Sequence, residues 1–86
     1  MPDAPHILVV DDDRRLRQLL KTYLQENGFR VSAAASAAEA RTQLRGLVFD
    51  AIVLDIMMPG ETGLTLTQSL REANNEVPIL MLSAVN

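Results

Sequence analysis

The chain has 86 residues, 48% of them apolar and 22% charged, a balance that fits one small globular domain rather than a disordered segment. A net charge of -3, with cations scattered singly apart from Arg14-Arg15, argues against a nucleic-acid surface, which needs clustered Lys and Arg. The absence of cysteine excludes a disulfide framework and zinc–thiolate sites. Met1 to Pro5 does not read as a secretory leader and no apolar run nears the ~20 residues of a membrane span, so a cytoplasmic protein without membrane contact is expected.

The first element is an apolar strand, Ile7 to Val10, which ends in Asp11-Asp12-Asp13. Leu16, Leu19, Leu20, Tyr23 and Leu24 follow at the three-and-four spacing of an amphipathic helix. Asp12 or Asp13 is placed to cap its start and Gly28 to end it. Phe29 to Ala34 reads as a short second strand, weak in apolar bulk and suited to a sheet edge. Ser36 with Glu39 three residues on is a capping-box pattern, opening a second helix through Leu44 to about Arg45, with Gly46 just past its end.

The third strand, Ala51 to Leu54, is wholly apolar, as expected for a strand covered on both faces. It ends on Asp55. A loop from Ile56 to Gly63 leads to a third helix from about Leu64 to Ala73, which stops at Asn74-Asn75. A fourth apolar strand, Ile79 to Leu82, ends on Ser83.

Strand–helix alternation with short connections predicts one α/β domain over residues 1–86, a parallel sheet with right-handed crossovers and helices on both faces. In such open sheets the ligand site lies beyond the carboxyl ends of the strands, where the strand order reverses. Asp11, Asp12, Asp55 and Ser83 all stand at such ends. Carboxylates brought together there repel and raise one another's pKa unless a cation joins them. A hard divalent ion such as Mg²⁺, held by few carboxylates and several waters, resolves the conflict and leaves room for a phosphate. The competing reading of Asp11-Asp12-Asp13 is simple helix capping, favoured by the helix dipole, but one acid suffices for that. Ser83 alone carries little weight, because a hydroxyl at a strand end is often a turn residue.

Val9-Val10-Asp11-Asp12, Asp55-Ile56-Met57-Met58-Pro59-Gly60-Glu61-Thr62-Gly63-Leu64 and Pro78-Ile79-Leu80-Met81-Leu82-Ser83-Ala84 together resemble the receiver domain of bacterial two-component response regulators. The resemblance covers nearly the whole chain. Its loop most resembles receivers joined to winged-helix DNA-binding domains of the OmpR-like class. It implies a flavodoxin-like (CheY-like) doubly wound sheet in the order 2-1-3-4, with the family's fifth strand lying beyond this chain. It further implies that Asp55 is the phosphoacceptor, served by a histidine kinase, and that Asp11, Asp12, Asp55 and the backbone carbonyl of Met57 hold Mg²⁺. Ser83 would be the switch hydroxyl that bonds the phosphoryl group, beside the small Ala84, and Asp13 only a cap. The implied protein is a signalling switch acting on transcription, not a metabolic enzyme.

The family places a lysine at the end of its fifth strand, whereas this chain stops at Asn86, and Lys21 lies along the first helix. A truncated receiver is therefore expected, with an apolar fourth strand as its edge, unstable as a monomer and prone to dimerise or swap elements through that edge. The alternative is a receiver-fold fragment that no longer switches and serves only as a structural or dimerisation module. A phosphatase with an aspartyl nucleophile is disfavoured. Haloacid-dehalogenase-like sites carry a second aspartate two residues on, where this chain has Met57.

Overall fold

The computed structural model describes residues 4–82; Ser83 and Ala84 lie outside them. Four parallel strands, β1 (His6–Val10), β2 (Arg30–Ala34), β3 (Ala51–Asp55) and β4 (Ile79–Leu82), form one sheet in the order β2-β1-β3-β4. Between them run helices α1 (Arg14–Glu26), α2 (Ala37–Gly46) and α3 (Gly63–Glu72). The order, the parallel pairing and the edge positions of β2 and β4 are those expected from the sequence. The chain leaves β1 toward one edge and returns from β2 toward the other, so right-handed crossovers place α1 on one face and α2 and α3 on the opposite one.

The helix ends follow local chemistry. Asp13 caps α1, its carboxylate accepting from the Arg15 and Leu16 amides, which decides between the two candidate caps. Asn27 closes the other end and Gly28 turns the chain out at φ +91°, a left-handed conformation that costs glycine little. Ser36 accepts from the Glu39 amide while the Glu39 carboxylate accepts from the Ala35 amide, so the capping pattern forms with the acid reaching one residue further back than expected. Gly46 is the last helical residue rather than the first beyond the helix, because Leu47 N–H still bonds Gln43 O. Thr62 caps α3, and Asn74 at φ +62° ends it.

Residue alternation along the central strands divides the core. Leu8 and Val10 pair in register with Ile52 and Leu54, and all four pack in one cluster with Ala37, Ala40, Leu66 and Leu70 of α2 and α3. Ile7 and Val9 are buried on the α1 face. Coverage of β3 differs from the expectation of full burial: Ile52 and Leu54 are buried, but Ala51, Val53 and Asp55 are half-exposed. The cause is that α1, with no buried residue of its own, lies against β1 and β2 and leaves the β3 side of that face open. Leu19 and Tyr23 are 62% and 63% exposed.

Candidate functional site

The register of the sheet assembles the site. β1 and β3 are neighbours with Val10 opposite Leu54, so the residues that follow, Asp11 and Asp55, leave the sheet side by side. Asp11 N–H bonds Ala34 O at 3.1 Å, and Ile56 N–H bonds Leu82 O at 3.0 Å, which carries the sheet's order right to the acids. One carboxylate oxygen each from Asp11, Asp12 and Asp55 lies within 4.8 Å of the others. An open pocket of about 340 Å³ is lined by these three with Asp13, Leu16, Met57 and Leu82.

The three acids are held differently. Asp11 is buried, Asp55 half-buried and Asp12 exposed. Asp11 Oδ1 accepts the Asp13 amide at 2.8 Å. Burial pushes the Asp11 carboxyl above its usual range, the charges of Asp55, Asp12 and Asp13 add to that, and the Asp13 amide opposes it. Asp55 Oδ1 accepts the Met57 amide at 3.0 Å. Gly63 is required for close approach: a Cβ there would stand 2.5 Å from the Asp55 carbonyl oxygen and 3.0 Å from Ile56 Cα, both rigid backbone. The absence of a side chain lets the start of α3 close on the end of β3, where Gly63 N–H bonds Ile56 O at 3.1 Å.

Of the residues singled out in the sequence, Asp11, Asp12, Asp55 and Met57 are brought to one pocket. Asp13 lies at its rim with its carboxylate engaged as the α1 cap. Ser83 is outside the described residues, directly after Leu82, which lines the pocket. Arg17 was not anticipated. Its Nη1 donates to the Asp11 backbone carbonyl at 2.8 Å and so fastens the β1–α1 turn. Its position in the first turn of α1 was no distinguishing signal.

The oxygen-only donor set, the shared negative charge and the open pocket suit a hard divalent cation that keeps several waters. Arg17 bonds the Asp11 carbonyl rather than a carboxylate, and among the described residues no ion pair involves Asp11, Asp12 or Asp55.

The response regulator receiver domain model matches residues 7–86. The chain belongs to that family. As a receiver it is 56% identical over 80 residues to Protein PetR of Rhodobacter capsulatus, covering 93% of this chain and 33% of PetR. It is 41% identical over 91 residues to the transcriptional regulatory protein AruR of Pseudomonas aeruginosa, covering all of this chain and 37% of AruR. The receiver thus spans about a third of the curated relatives it matches. Among solved structures it resembles the response regulator TrrA of Thermotoga maritima in complex with Mg²⁺–BeF, at 36% identity and a TM-score of 0.88, over 95% of this chain and 71% of that one. The CheY-like fold expected from the motifs is therefore the fold of this receiver, a regulatory module of two-component signalling. No helix among the described residues is long and apolar enough to cross a membrane.

Proposed function

We propose that this receiver takes a phosphoryl group from a histidine kinase onto Asp55 and passes the change to an output in the full-length protein. The observation that carries the reading is the convergence of Asp11, Asp12 and Asp55 within 4.8 Å at the carboxyl ends of two adjacent strands. The Asp55 carboxylate attacks phosphorus, an O–P bond forms, and the P–N bond of the phosphohistidine breaks with its electron pair leaving on the imidazole. Met57 N–H donates to Oδ1 and so restrains the rotation of the carboxylate. Asp11, Asp12, Asp55 and the Met57 backbone carbonyl would hold Mg²⁺, with Asp11 acting at least through water. When bound, the ion offsets the repulsion between a carboxylate and an anionic phosphodonor. Ser83, next in sequence to the pocket residue Leu82, would donate its hydroxyl to the new phosphoryl group. A phosphoryl group adds charge and strong acceptors at the sheet edge, and such a local change biases a two-state element.

A transcriptional output is supported by the description of AruR as a transcriptional regulatory protein. β4 is the last strand of the sheet among the described residues and Leu80 on it is 63% exposed, which favours self-association, and a purely structural or dimerisation role is the second reading.

The test is incubation with a small-molecule phosphodonor and Mg²⁺, read by intact mass, beside Asp55→Asn. A gain of one phosphate in the wild type and none in the variant is expected. A gain that persists in Asp55→Asn, or no gain in a wild type whose circular dichroism shows the fold intact, overturns the reading and favours the structural role.

A further inference from the structure

One arginine ties α2 to the β3–α3 loop and to α3. Arg41, in the second turn of α2, donates from Nε to Glu61 Oε1 at 3.0 Å and from Nη2 to Glu61 Oε2. The same Nη2 reaches Ser69 Oγ on α3 at 2.9 Å. Two parallel bonds between a guanidinium and a carboxylate fix direction as well as distance. The side chains are 33% and 27% exposed, so the pair is partly shielded from water.

Glu61 is the only charged residue in the loop from Ile56 to Thr62, the segment that joins Asp55 to α3. At its start the loop is held by the Met57 amide on Asp55, and its ends are closed by Gly63 N–H on Ile56 O. Met58 is buried in the core. Beyond it Gly60 takes φ +76°, a conformation glycine reaches easily and leaves easily. The Arg41–Glu61 pair is the anchor on the far side of that pivot.

We infer that Arg41 is a positioning residue for the phosphoacceptor site, holding through Glu61 the loop that presents Met57 to the pocket. The inference rests on the reading of Asp55 as a metal-assisted phosphoacceptor and deepens it. An untethered exposed loop samples many backbone states, and a cation taking a backbone ligand from it must first order that backbone. A loop fixed in advance avoids this cost at the moment of binding.

Glu61→Gln, Arg41→Gln, the double variant and Arg41→Lys test this in the 86-residue chain. Three readouts apply: amide exchange over residues 56–62 without metal, the magnesium dissociation constant by calorimetry, and the rate of phosphorylation by a small phosphodonor. Each Gln variant is expected to speed loop exchange while strand amides keep their protection. Each should also raise the magnesium dissociation constant about threefold to tenfold, less than the roughly 10–100-fold cost of losing a direct outer-shell partner. The double variant should be no worse than either single one. Arg41→Lys, which keeps the charge but not the fork, should recover part of the loss. High salt should shrink the gap to wild type. Variants that melt lower yet keep wild-type loop exchange and magnesium affinity would show an ordinary stabilising contact and overturn the inference. A folded wild type that neither binds magnesium nor gains phosphate instead sinks the phosphoacceptor reading, and the positioning role with it.

Discussion

Asp11 shows how one residue can serve a site at the expense of the fold. It is 2% exposed, beside two other carboxylates that share its pocket. Burial first, and then the charges of Asp55, Asp12 and Asp13, raise its pKa above the ordinary value of 3.8. A carboxyl whose folded pKa is raised binds protons more tightly in the folded state. The stability linked to its protonation is complete below the ordinary value and lost as pH rises through the raised one. At neutral pH the ionised Asp11 therefore works against folding, a cost that a bound cation would offset. Asp11→Asn, which keeps an oxygen for the Asp13 amide, should raise the metal-free melting temperature at pH 7 by a few degrees, roughly 1 kcal/mol being worth about 4–8 °C in a domain this small. The gain should shrink toward pH 4, and magnesium should stabilise the variant less than the wild type. Melting curves across that range decide it. A variant that melts lower at pH 7 would show that Asp11 contributes more through its hydrogen bond than it costs through its charge.

Within elements, neighbouring acids divide between structure and chemistry. Asp13 Oδ1 is engaged by two amides of the first turn of α1, whereas Asp12 is exposed at the pocket without that duty. Asp13→Ala should cost about 1 kcal/mol in urea denaturation, the usual worth of an N-cap, and leave magnesium affinity within about twofold, since losing one more remote charge in water is a small effect. A tenfold loss of affinity would instead place Asp13 among the metal ligands. The Arg17 contact to the Asp11 carbonyl illustrates what a helix contributes to a turn at its own start. No local pattern distinguishes Arg17 from a solvated charge, since the carbonyl that it bonds lies six residues earlier, across the β1–α1 turn.

Across the whole molecule, the open places are the β4 edge and the α1 face. Among the described residues β4 is short, uncharged and paired only with β3, and Leu80 in the strand is 63% exposed. Unpaired apolar edges template pairing with another chain. Self-association is expected, seen as a concentration-dependent sedimentation coefficient, and Leu80→Lys should abolish it. A wild type that stays monomeric to millimolar concentration, melting in one sharp transition, would reject the edge-pairing expectation and the predicted instability together.

The sequence by itself determined the element order, the parallel pairing, the Ser36 cap and a cap for α1 at Asp12 or Asp13, and it placed Asp11, Asp12 and Asp55 at strand ends; the resemblance to receivers supplied the order 2-1-3-4. Apart from that order, each of these follows from local periodicity or from hydrogen-bond chemistry within one turn, because strands and caps are set by residues close in sequence. Several boundaries moved by one residue because element ends are set by single backbone bonds, as Leu47 N–H to Gln43 O shows at the end of α2. Only the tertiary structure decided the half-exposure of Val53, the close approach of Gly63 to Asp55 and the Arg41–Glu61–Ser69 contact. Arg41 and Glu61 lie 20 residues apart, and no local pattern distinguishes a surface pair at that separation from two solvated charges. Their meeting depends on how α2 and α3 pack on the same face of the sheet.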